Sequence, residues 1–155
     1  MDNFKHISID QLPVRHVCDH ERYEYFRKTF VRRSEARQCV VNVFEISPMK
    51  SAFPYHYHRN NEETFYIISG HGILRTPEGE RAVNAGDLLF FPATEQGAHQ
   101  LSNSSAIENL VYIDFDTANE IDITVYPDSN KIGIWGKEIN QLYRIKDQVD
   151  YYDGE

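Results

Sequence analysis

The residues of this chain best able to do chemistry together lie in Tyr55-His56-Tyr57-His58-Arg59-Asn60-Asn61-Glu62-Glu63. On a β-strand, side chains two apart point to one face, so His56 and His58 can converge on a single point. Arg59-Asn60-Asn61 is polar and turn-prone and can reverse the chain, after which Glu63 opens a following strand beside the imidazoles. Farther on, Gly86-Asp87-Leu88-Leu89-Phe90-Phe91-Pro92 leads through a loop containing Gly97 to His99. His99, Leu101 and Asn103 share a face by the same alternation, and if that face points inward His99 adds a third imidazole. Three neutral imidazoles and a carboxylate suit one divalent transition ion, Mn, Fe, Co, Ni or Zn. An octahedral ion held this way keeps positions open for water, dioxygen or a chelating substrate. The bland alternative is a metal-free cluster of packed histidines, which leaves imidazoles and a carboxylate crowded together without a cation, at a cost in free energy.

Residues so far apart in sequence need a scaffold of strands to bring them together. The chain has 155 residues, enough for one domain with its own core, here expected over 1–155 with a barrel core at about 38–127. Ten Tyr and nine Phe bias it toward pleated, half-buried strands. Short apolar runs recur at Val40–Ile46, Thr64–Ile68, Ile73–Arg75, Leu88–Phe91, Ala98–Leu101, Leu110–Phe115 and Ile123–Tyr126. Between them fall turn signals such as Ser47-Pro48, Gly70-His71-Gly72, Pro77-Glu78-Gly79-Glu80 and Asn84-Ala85-Gly86-Asp87. That rhythm predicts an all-β sandwich or closed barrel. The charged segment Asp19 to Arg37 is ambiguous, with a strand expected from about Tyr25 to Val31. The tail from Lys137 to Glu155 is read as one helical turn or an irregular cover over the barrel.

Composition removes several functions. A net charge of −8 argues against a nucleic-acid surface, which needs clustered Lys and Arg. No stretch reaches the length of about 20 apolar residues that a membrane helix needs. Cys18 and Cys39 form no CxxC pair and read as free thiols in a reducing compartment. The opening residues lead into no apolar run of a secretory leader, so a cytoplasmic protein is expected.

In its motif spacing the chain resembles the cupin superfamily. The first cupin motif is matched by His56-Tyr57-His58, four residues, Glu63, six residues and Gly70. The second is matched by Gly86, Pro92, Gly97, His99 and, after three residues, Asn103. The resemblance implies a double-stranded β-helix, a jelly-roll-type barrel, with His56, His58, Glu63 and His99 as ligands of one divalent ion. There are two departures: Lys50 stands where the family usually has Gly, and the loop from Pro92 to His99 is longer than the standard form. The second leaves the start of the His99 strand open.

Other titratable residues carry less. Spacing to Gly70 selects Glu63 over Glu62, which alternation turns outward. His71 lies between two glycines in a turn, and His6, His16 and His20 lack a partner at ligand spacing, so all four read as surface. Tyr55 and Tyr57 should face away from the ion, while Phe44, Phe65, Ile67 and Leu101 are candidates for a pocket wall as well as for core. Arg75 and Arg81 flank a predicted hairpin turn and could meet an anionic substrate or lie on the surface; Asn103 reads as a strand-end hydrogen-bonder. The function classes left open are a metal-dependent oxygenase, isomerase or lyase acting on a small polar metabolite, a non-catalytic binder or sensor using the same ion, and an interaction protein with a structural ion. No acid–base pair stands out beyond the ligands. Exposed aromatics and long terminal segments predict a homodimer, as is common among similar cupins.

Overall fold

Nearly every apolar run of the sequence forms a strand, and among the residues described by the computed structural model, 4–155, there is no α-helix. Met1-Asp2-Asn3, the start of the expected domain, fall outside the described residues. A six-stranded sheet has the order β1-β2-β3-β10-β5-β8. Its members are β1 (Val14–His20), β2 (Tyr23–Val31), β3 (Cys39–Ile46), β5 (Glu63–Ser69), β8 (Leu88–Phe91) and β10 (Leu110–Thr117). A four-stranded sheet runs β13-β12-β11-β4, made of β4 (Tyr57–His58), β11 (Ile121–Tyr126), β12 (Lys131–Gly136) and β13 (Asn140–Arg144). A three-stranded sheet joins β7 (Gly79–Asn84), β6 (His71–Thr76) and β9 (Gln100–Asn103) in the order β7-β6-β9. All pairings between these strands are antiparallel. The fold is the expected double-stranded β-helix.

Alternation decides what each strand buries. On β5, Glu63, Phe65 and Ile67 are buried and Tyr66 and Ile68 are exposed; on β10, Leu110, Tyr112 and Asp114 are buried. The core unites Tyr25, Phe44, Ile46, Phe65, Ile67, Leu74, Phe91, Leu101, Leu110 and Tyr112 among others. Phe44 stacks on Tyr112 at a centroid distance of 5.2 Å. A smaller cluster of Tyr55, Tyr57 and Ala98 packs against Val125.

Several expectations are corrected at the ends of the chain. β1 and β2 are full members of the large sheet, and Tyr23 rather than Tyr25 begins the second of them. Polar residues hid the first of them: β1 is Val-Arg-His-Val-Cys-Asp-His and mostly exposed. The tail does carry one 3₁₀ turn, Ile145–Asp147, but before it Asn140–Arg144 pairs with β12 as a strand. A strand exposed along its whole length gives no alternation to read. Gly70 lies where the chain leaves β5, at φ +81°, and a Cβ there would stand 2.5 Å from the Asn109 carbonyl, so the glycine of the first motif is required by conformation and contact alike. Lys50 replaces the usual family glycine without strain of its own. The left-handed backbone falls on Met49 (φ 60°), and Lys50 Nζ donates to the Glu21 carbonyl at 2.5 Å.

Candidate metal centre

Each of the four candidate ligands is held by a different piece of the sheets. His58 sits on the two-residue strand β4, opposite Thr124 of β11. His56 precedes that strand and forms an isolated bridge with His99: His56 N donates to His99 O at 3.1 Å, and His99 N to His56 O at 2.8 Å. Glu63 opens β5. His99 stands just before β9 rather than inside a strand starting at Ala98, because a 3₁₀ turn over Glu95–Gly97 delivers the chain to it. Gly97 fits that turn only without a side chain, since a Cβ would lie 2.1 Å from the Pro92 carbonyl oxygen.

These elements bring the side chains together. Ligand atoms of His56, His58 and Glu63 all lie within 4.8 Å of one another. Glu63 Oε2 is 3.4 Å from His58 Nε2 and 3.3 Å from His99 Nε2. The rings of His56 and His99 are 4.7 Å apart. His56 Nδ1 donates to the Pro54 carbonyl at 2.8 Å and His99 Nδ1 to the Gly97 carbonyl at 2.9 Å. A carbonyl can only accept, so both rings carry hydrogen on Nδ1 and present a bare Nε2 when neutral. His58 Nδ1 donates to Asp122, whose other oxygen accepts the amides of Asn60 and Asn61 at 3.1 Å each. Such outer partners fix ring orientation and raise ligand basicity in metal sites.

The electrostatics separate the imidazoles. Burial, with the neighbouring imidazoles, holds His56 well below the usual histidine range, and burial takes His99 down to about 3. Burial also opposes charge on His58, but Glu63 and Asp122 outweigh it and push it up to about 9. Glu63 rises to about 8 through burial and the nearby Asp116 and Asp122, despite His58. His58 Nε2 and Glu63 Oε2 are buried without a hydrogen-bond partner. Each such orphan costs about 1–3 kcal/mol, which a cation between them would recover. Imidazole nitrogens beside a carboxylate are also the donor set of a borderline divalent ion, so the residues fit the expected group.

Some members of the site gave no clear signal in the sequence. Asp122 belongs to a run, Ile121-Asp122-Ile123, whose polar member reads as outward, yet it is 1 % exposed. Asp114 and Asp116 lie on the same inward face as Leu110 and Tyr112, and their carboxylates group with Glu63. Two acids continuing an apolar alternation were the available hint. Burial, reinforced by their mutual repulsion for Asp114, raises both above the ordinary carboxylate range. Tyr126 stacks on His56 at 5.8 Å, and Phe91 on His99 at 3.7 Å.

The remaining candidates have other places. Phe65 packs edge-on to His99, whereas Phe44, Ile67 and Leu101 are core residues. Glu62, His6, His16, His20 and His71 are exposed, and His16 Nε2 pairs with Glu24 at 3.1 Å. Arg75 is engaged by Asp128 through two hydrogen bonds of 2.6 and 2.9 Å and lies over the Tyr55 ring; Arg81 pairs with Glu78. Asn103 ties Ile46 O, Glu108 O and Ser105 N together, as a strand-end hydrogen-bonder does.

Residues 42–115, which carry all four candidate ligands, match the family model described as Cupin domain. No curated protein matches the chain. Among solved structures it is similar to a protein of Acidithiobacillus ferrooxidans assigned as a sugar phosphate isomerase, with 23% identity, TM-score 0.76 and coverage of 92% of this chain and 91% of that one. A sugar phosphate isomerase of Silicibacter pomeroyi shows TM-score 0.81 at 18% identity, covering 96% of this chain and 98% of its own. The polyketide cyclase RemF of Streptomyces resistomycificus shows TM-score 0.64 at 20% identity over 76% of this chain and 81% of its own. At these identities the likeness speaks for the fold. With both motifs folded into the barrel they predict, and with the matching domain model spanning them, residues 42–115 form a cupin domain.

Proposed function

We propose that His56, His58, Glu63 and His99 hold one divalent transition ion, and that the protein is a metal-dependent enzyme acting on a small polar metabolite. The observation that carries this reading is the pair of buried, partnerless atoms, His58 Nε2 and Glu63 Oε2, facing each other within a set of rings whose Nδ1 positions are already engaged. An ion bound there supplies Lewis acidity toward substrate oxygens. Around it, Asp122 and the Pro54 and Gly97 carbonyls orient the imidazoles, and Phe65 and Phe91 shield His99 from water.

Of the oxygenase, isomerase and lyase classes, isomerisation comes first, because it needs groups that give and take protons beside the ligands. Asp114 and Asp116, raised by burial, are such groups next to Glu63, and Tyr126, pushed up to about 12 mainly by burial, remains a phenol able to donate. The sugar phosphate isomerases of similar fold belong to the same reaction class. We place the protein in the cytoplasm, on its two exposed free cysteines, and read residues 1–155 as one domain that assembles as a homodimer.

Elemental analysis of the purified protein tests the site. One ion per chain is expected, and a His56→Ala, His58→Ala double variant should lose most of it. Full occupancy in that variant would refute the ligand assignment. A loaded protein that binds small oxygen-rich metabolites yet turns none over would be a binder or sensor instead of an enzyme.

A further inference from the structure

A second feature of the barrel lies at the mouth of the large sheet, where a cavity of about 480 Å³ opens between β1, β2, β3 and the segment that follows β2. Its walls include Arg15, Arg27, Arg32 and Arg33 together with Asn42 and Asp116. In a chain of net charge −8, four guanidinium groups around one cavity with a single carboxylate are a concentrated exception.

Register explains how they meet. Arg15 and Arg27 are directly opposite each other on β1 and β2, so their side chains rise from the same face. Like charges in that position destabilise a sheet unless something lies between them. Among the described residues, no carboxylate forms a salt bridge with Arg15, Arg27 or Arg32. Arg33 donates from one nitrogen to the Asn119 carbonyl at 2.6 Å and the Trp135 carbonyl at 3.5 Å, and no carboxylate forms a salt bridge with it among the described residues. Unpaired guanidinium forks at the edge of a cavity match the oxygens of a phosphoryl group, with which Arg forms paired, charge-assisted hydrogen bonds.

The same face leads inward to the metal centre. Arg27 is opposite Phe44, Thr29 is opposite Asn42, and Val40 is opposite Asp116, which in turn is opposite Glu63 on β5. Asp116 therefore belongs both to the cavity wall and to the carboxylate group around Glu63. A volume of about 480 Å³ falls in the range of small-molecule sites and is too small for a polymer.

We propose that this arginine-lined cavity binds the phosphoryl group of a small phosphate ester whose other end extends past Asp116 toward Glu63. The second half of this statement rests on the metal-centre reading above; the anion site itself does not.

The experiment uses the full chain and inorganic phosphate as probe, followed by thermal shift and calorimetry at low salt. Phosphate should stabilise the wild-type protein and the His58→Ala variant alike, because the cavity does not need the metal ligand. In the Arg15→Gln, Arg27→Gln double variant, affinity should fall at least tenfold while metal content stays unchanged. That variant removes a like-charge pair and is expected to fold at least as well as the wild type without phosphate. An Arg27→Lys variant, which keeps charge but loses the planar fork, should bind phosphate more weakly and guards against misfolding of the double variant. Equal shifts in wild type and both arginine variants, no shift in the wild type, or an equal shift from chloride at matched ionic strength would each overturn the proposal. Phosphate binding in a protein that proves metal-free would leave the anion site standing and overturn only the metal reading.

Discussion

The protonation of His58 ties the candidate metal centre to pH. In the metal-free protein its imidazole is raised to about 9 against an ordinary value of 6.5. Below pH 6.5 the ring is protonated in folded and unfolded chains alike. Between 6.5 and 9 the folded state keeps a proton that the unfolded state has lost, so stability falls as pH rises through this window. Glu63, raised to about 8, acts in the same direction up to that pH. The melting temperature of the metal-free protein should therefore decline from pH 6.5 to 9, and His58→Gln should flatten most of that decline. A melting temperature that rises over this range would contradict the pairing of His58 with Glu63 and Asp122. The grouping of His56, His58 and Glu63 was legible in the sequence because His-x-His on a strand and a carboxylate after a turn are local patterns. Asp122 was not, since its role depends on β11 pairing with β4, a contact across more than sixty positions that no local period encodes.

At the level of elements, strands with one wet and one dry face were read nearly to the residue. β3, β5, β8 and β10 match the expected runs within about two residues at each end because alternation persists along them. The strands that escaped notice, β1 and β13, are exposed almost throughout and carry no such signature, and β12, Lys-Ile-Gly-Ile-Trp-Gly, is broken by glycines. The longer loop before His99 was legible as a departure, but its 3₁₀ turn was not, since it arises from the close approach of Gly97 to Pro92. Gly97→Ala should force that turn apart and cost about 1–3 kcal/mol, as overpacking does in other interiors. It should also weaken metal retention, because the Gly97 carbonyl orients His99. Chemical denaturation and metal analysis of the variant check both effects; unchanged values in both would show that the turn relaxes freely.

For the whole molecule, the outer face of the large sheet ends at β8, an edge strand on which Leu88 and Phe90 are 73% and 59% exposed. Tyr66 and Ile68 continue the same apolar surface on β5. Edges of this kind are usually covered by another chain or blunted by charge. If the homodimer forms here, light scattering at micromolar concentration should give twice the chain mass, and Phe90→Lys should give a monomer of unchanged melting temperature. A monomeric wild type would remove the assembly.

The pairing of β4 with β11 has a consequence for how the protein is made. All four candidate ligands have been synthesised once residue 99 is added, yet β4 has no strand partner until residues 121–126 have followed. His58 therefore waits, without its brace Asp122, while the rest of the barrel is being synthesised. A chain ending at residue 120 should bind little metal even where β5 and β10 are paired, as elemental analysis of the truncated protein would show. On the proposed ligand set, metal uptake then waits for β11, and an ion can be held firmly only by a chain that already includes residues 121–126.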